Sequence, residues 1–93
     1  MIIAFDVDGT LVTYNDKPRW DIIELVKTLS QYHTVIVWSG GGKDYSEMWI
    51  RKLFLEDFVR SGHGKYDDDV KGDYVDLCFD DENVDLAKIN IKV

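Results

Sequence analysis

The apolar run Met1–Phe5 stops at Asp6-Val7-Asp8-Gly9-Thr10, and that junction constrains the fold more than any other part of the chain. An unbroken apolar segment this short is what a central parallel strand, covered on both faces, requires. Its polar end carries two carboxylates at i and i+2, which point the same way from extended backbone. They stand where a strand of an open α/β sheet emerges beside its ligand crevice. Gly9 lets the chain turn sharply there. A carboxylate pair so placed can hold a divalent cation and can divide the work of nucleophile and proton shuttle.

The rest of the chain alternates in period. Pro18 stands where a helical turn can begin, and Ile22, Leu25, Val26 and Leu29 recur at helical spacing. Thr34–Trp38 reads as a second strand, broken by Gly40-Gly41-Gly42. Asp44 and Glu47 resemble a capping box, and Tyr45, Trp49, Ile50, Leu53 and Phe54 predict a helix from Tyr45 to about Phe58. A very short strand follows near Val59, another runs Tyr74–Phe79, and Asp81–Ala87 has room for one helical turn. Lys88–Val93 alternates polar and apolar residues, as an edge strand does. Strands alternating with helices predict an α/β domain with right-handed crossovers. The expected architecture is a single three-layer Rossmann-like domain over residues 1–93, with a small, mostly parallel sheet.

Composition bounds what such a domain can do. At 93 residues it buries only about 60% of its unfolded surface, but 45% apolar and 13% aromatic content argue against disorder. The net charge of −7 disfavours a nucleic-acid backbone as default partner, so nucleic acid is expected only as a substrate. A single cysteine, Cys78, excludes an intrachain disulfide and fits a reducing compartment. No basic leader precedes the first apolar run and no stretch is long enough to span a bilayer, so a cytoplasmic, membrane-free protein is expected.

Three apolar segments end in polar residues: the first at Asp6-Val7-Asp8-Gly9-Thr10, the second at Ser39-Gly40, the third at Asp80-Asp81. If the strands are parallel neighbours, these ends meet at one edge of the sheet, and with a lysine they can bind a phosphate and a cation. This constellation resembles the haloacid dehalogenase superfamily of phosphatases and phosphotransferases. Asp6-x-Asp8-Gly-Thr-Leu looks like its first motif, Ser39 ends the second, Lys71 is the candidate for the third with Lys65 as competitor, and Asp80-Asp81 looks like the fourth. The spacing from Lys71 to Asp81 resembles the compressed form in the smallest members. Neither the gap after Asp8 nor that after Ser39 holds a cap domain, so the resemblance is to capless members with open sites.

The resemblance implies a Mg2+-dependent phosphomonoester hydrolase. Asp6 would be the nucleophile that forms an aspartyl-phosphate, and Asp8 the general acid and base. Mg2+ would be held by Asp6, the Asp8 carbonyl and Asp81, with Asp80 as a further ligand. Thr10, Ser39, Gly40 and Lys71 would bind the phosphate. The presence of Asp8, which true dehalogenases lack, favours phosphoryl transfer over carbon–halogen hydrolysis. An open site suits a small phosphorylated molecule or a macromolecular end, and a homodimer could close it. The competing reading is a non-catalytic metal-binding or interaction module. A receiver domain fits poorly, because the acid pair lies late and no mid-chain aspartate ends a strand.

Other residues read more plainly. Gly40-Gly41-Gly42-Lys43 lacks the spacing of a phosphate-binding Walker loop, since Val37 and Asp44 stand where glycine and Ser/Thr are needed. Lys43, Lys17 and Arg19 are candidates for contact with substrate. Asp67-Asp68-Asp69 reads as a solvated loop, His63 as a surface residue, and Asp85 as a residue that orders the late loop or the lysine. Trp20, Trp38 and Trp49 read as core.

Overall fold

The computed structural model describes residues 1–93. Five strands form one sheet: β1 (Ile2–Asp6), β2 (Thr34–Ser39), β3 (Ser61–Gly64), β4 (Leu77–Asp80) and β5 (Ile89–Lys92). Their order is β3-β2-β1-β4-β5 and every neighbouring pair is parallel. Two helices connect the early strands, α1 (Trp20–Ser30) and α2 (Lys43–Lys52). The expected α/β architecture with a parallel sheet is what forms, and no helix is long and apolar enough to cross a membrane.

Strand pleating divides the core. Ile3, Phe5, Val35, Val37 and Phe79 share one face with Ile22, Ile23 and Val26 of α1 and Trp49 and Ile50 of α2. Phe5 and Phe79 stack across β1 and β4, with centroids 4.8 Å apart. Ala4, Ile36, Trp38 and Cys78 project to the other face, where Val70, Val75, Val84, Leu86 and Ala87 cover them. Those covering residues belong to connections, not to α-helices. The third layer expected from sequence is therefore built of loop.

Topology accounts for this. The chain runs β1 to β2 to β3 in one direction, so both crossover helices lie on one face. It then returns past β1 to β4 and continues outward to β5, which places the later connections on the opposite face. The first of these connections contains only two short 3-10 turns, Asp68–Val70 and Gly72–Tyr74, the second of which takes the place of the expected start of β4. The second, expected to hold a helical turn, has none. Asn90 organises it instead: its Oδ1 accepts from the Leu86 and Ala87 amides at 2.9 and 3.0 Å, and its Nδ2 donates to the Ala87 carbonyl.

Three further expectations change. Helix α2 stops at Lys52 and not near Phe58, because Phe54 adopts a left-handed conformation (φ 56°) that turns buried Leu55 back to the core. No capping box forms, since the helix starts two residues earlier than expected, at Lys43 behind Gly42, which has no side chain to cap with. Trp20 is 64% exposed at the start of α1, whereas Trp38 and Trp49 are core.

Candidate functional site

Asp6 ends β1 and Asp80 ends β4. These two strands flank the point where the direction of winding reverses, the place where an open α/β sheet leaves a crevice at its carboxyl edge. Ser39 ends β2 on the other side of Asp6. Together with Asp8, Gly40, Asp81 and Glu82 they border a polar cleft of about 180 Å3.

The lysine in this cleft is Lys65, not Lys71. Its Nζ lies 2.9 Å from Asp6 Oδ1 and 2.7 Å from Asp80 Oδ2, so one ammonium ties the ends of β1 and β4 together. Lys71 is more than half exposed between the two 3-10 turns and pairs with Asp68. The reason is register. Gly64 pairs with Ser39, so Lys65 leaves β3 level with the other strand ends, and its own amide donates to the Ser39 carbonyl.

The loop after Lys65 is held from behind by residues that the sequence marks as solvated or isolated. Asp67 Oδ2 accepts the Gly64 amide at 2.8 Å, and a Cβ on Gly64 would stand 2.5 Å from that carboxylate. His63 is largely buried rather than a surface residue, with Nδ1 3.0 Å from Asp69 Oδ2 and Nε2 2.7 Å from Ser61 Oγ. Asp85 makes no hydrogen bond or ion pair of its own, so ordering of the late loop falls to Asn90.

The turn after β1 also departs from expectation. Thr10 is fully buried and donates to Asp6 Oδ2 at 3.2 Å, so it supports the Asp6 carboxylate and does not face the cleft as a phosphate ligand. Gly9 has φ 84°, and a Cβ there would lie 2.3 Å from Asp81 and 2.9 Å from the Tyr14 ring. Glycine is thus required by conformation and by close approach. Arg19, a candidate for substrate contact, donates to the Gly9 carbonyl at 3.0 Å. Lys43 pairs with Glu47 along α2. Two tyrosines reach the acids: Tyr14 donates to Asp81 Oδ2, and Tyr45 donates to Asp8 Oδ1 at 2.8 Å. Periodicity marks Tyr45 only as an apolar helix position. A phenol in the first turn after a glycine-broken strand end is the signal that distinguishes it.

Electrostatics follow from this packing. Burial pushes the Asp6 carboxyl up to about 6, even though Lys65 pulls the other way. Burial lowers the Lys65 ammonium, but its hydrogen bonds to Asp80 and Asp6 outweigh that and hold it above the ordinary lysine range. Burial works against the Asp81 carboxylate, yet hydrogen bonds from Tyr14 and Asp6 keep it below the usual range. The Tyr14 phenol, bound to Asp81, rises to about 12. Asp6 and Asp81 lie close enough that two ionised carboxylates there repel, which a proton or a cation between them relieves. One oxygen from each of Asp6, Asp80 and Asp81 lies within 4.8 Å of the others. All are hard oxygen donors of the kind Mg2+ takes, and five carboxylates face one ammonium around the cleft. A divalent cation fits this donor set.

No family model matches the chain, and no curated protein or solved structure is significantly similar to it.

Proposed function

We propose that this domain is a Mg2+-dependent phosphomonoester hydrolase working through an aspartyl-phosphate on Asp6. The observation that carries the reading is the Lys65 bridge between Asp6 and Asp80 inside a cleft whose far wall is Ser39 and the Gly40–Gly41 backbone. Lysine and backbone donors suit phosphoryl oxygens, and the acids beside them suit a cation.

Asp6, Asp80 and Asp81 would hold Mg2+, which supplies charge neutralisation to a phosphate approaching an acidic cleft. Thr10 holds Asp6 Oδ2, and Lys65 steadies Oδ1 and compensates charge on the transferring group. Ser39 Oγ accepts from the Gly41 amide at 3.0 Å, which shapes the cradle for the remaining phosphoryl oxygens. Asp8, outside the metal cluster, is free for proton transfer. An open cleft without a cap admits a small phosphorylated molecule or a macromolecular end.

The test is phosphate release, with and without Mg2+, across phosphorylated sugars, nucleotides, amino acids and end-phosphorylated oligonucleotides. Asp6→Asn runs alongside wild type. Mg2+-dependent release that the variant loses while remaining folded is the expected result; release retained by Asp6→Asn would sink the mechanism. A second reading, a non-catalytic metal-binding module, is favoured by one observation: the Tyr14 phenol covers an Asp81 oxygen at the mouth of the cleft. Mg2+ binding without turnover of any substrate in the panel would support it.

A further inference from the structure

We infer that Tyr45 is a positioning residue that aims the Asp8 carboxyl group at the leaving-group oxygen; this role rests on the hydrolase reading. Asp8 stands outside the cluster of Asp6, Asp80 and Asp81, and its side-chain hydrogen bond is to the Tyr45 hydroxyl, 2.8 Å from Oδ1. Tyr45 belongs to the first turn of α2, the helix that starts directly behind the Ser39–Gly41 cradle. Its ring lies so close to Gly41 that a Cβ there would stand 3.0 Å from a ring carbon. One rigid element therefore fixes both the phosphate cradle and the acid that serves it.

The phenol also selects which oxygen works. The Tyr45 hydroxyl spends its one proton on Asp8 Oδ1. A donor on Oδ1 leaves Oδ2 to carry the transferable proton. In the first half-reaction an Asp6 oxygen bonds to phosphorus, the bond from phosphorus to the leaving oxygen breaks, and that oxygen keeps the electron pair. The proton on Asp8 Oδ2 moves to it, and the alcohol departs neutral. In the second half-reaction a water oxygen bonds to phosphorus, the bond to Asp6 breaks, and Asp8 takes the proton that water gives up.

Leaving-group chemistry tests this. An alkyl alcohol needs that proton, whereas p-nitrophenolate departs without it. For Tyr45→Phe, kcat/KM on an alkyl phosphomonoester should fall roughly 10- to 100-fold, a part of what general acid catalysis supplies, with a much smaller fall on p-nitrophenyl phosphate. In an Asp8→Asn background the same substitution should have no further effect on the alkyl substrate. Thermal melts and Mg2+ titration calorimetry on Tyr45→Phe should match wild type. Equal losses on both substrates, or effects that simply add in the double variant, overturn the positioning role and leave the hydrolase reading standing. A wild type inactive on both substrates overturns the two together.

Discussion

The two faces of the sheet are made by the same strands but covered by different material. On one, α1 and α2 bury Ile3, Phe5, Val35 and Val37 under a large apolar cluster. On the other, Ala4, Ile36, Trp38 and Cys78 lie beneath connecting segments whose only regular structure is a pair of 3-10 turns. The helical face draws its strength from hydrophobic packing between rigid elements. The loop face has fewer apolar contacts, and polar ties do more of the holding: Lys65 to Asp6 and Asp80, Asp67 to Gly64, Asn90 to the 86–87 backbone. Yet the loop face carries the Lys65 ammonium and the two carboxylates it bridges, Asp6 and Asp80. Structural strength and chemistry are thus segregated, as expected where binding groups sit on loops carried by a rigid scaffold.

The sharpest way to break that division is at Lys65. Its Nζ is nearly buried between two buried carboxylates. Lys65→Met keeps the aliphatic stem but leaves Asp6 and Asp80 facing each other without compensation. Urea denaturation at pH 7 should show a loss of about 3–5 kcal/mol, together with loss of phosphate release. A variant as stable as wild type would mean that apolar packing, and not the ion triad, holds the loop face in place.

A matched pair of substitutions compares the faces directly. Val26 in α1 and Val70 beneath β1 and β2 are both buried. Val26→Ala opens a cavity between a helix and the sheet, neither of which can collapse into it, and should cost about 2–3 kcal/mol. Val70→Ala sits under a connection that can settle, and should cost about 1 kcal/mol. Denaturation midpoints measure both. Equal costs would show that the loops are packed as rigidly as the helices.

The same contrast explains what the sequence reveals. Strands β1 and β2 are legible because central parallel strands need unbroken apolar runs, and Asp6 and Ser39 at their ends follow from where those runs stop. The loop face is nearly illegible. Its order comes from hydrogen bonds between residues close in space but unmarked by periodicity, such as His63 with Asp69 and Asn90 with Leu86. Strand β3, Ser-Gly-His-Gly, has no apolar residue to announce it. With the third strand expected near Val59 but formed at Ser61–Gly64, nothing in the sequence says that Lys65 exits level with Ser39, and Lys71 lies at the more natural distance from Asp80. The early end of α2 is hidden for a similar reason: Phe54 fits the helical period but is 82% exposed in a left-handed turn.

Asp6 ends the central strand that both faces share, and its titration offers the smallest but most specific test. Its pKa rises in the fold from 3.8 to about 6, chiefly through burial, so the fold favours the neutral form. That contribution to stability is complete below about pH 4 and is lost as pH rises through about 6. At pH 7 the buried carboxylate therefore costs stability that the Lys65 bridge only partly returns. Asp6→Asn removes the charge and keeps a polar side chain, while Asp80 continues to pair with Lys65. Without added metal, the variant should be more stable than wild type by about 1–2 kcal/mol at pH 7, with the gap closing on acidification to pH 4. Added Mg2+ should reverse the order at pH 7, because a cation that needs the ionised carboxylate stabilises only the wild type. Thermal melts at the two pH values, with and without Mg2+, read this out. A gap that does not change with pH would place its origin in packing around Asp6, and would remove the electrostatic cost from the account of how the two faces meet.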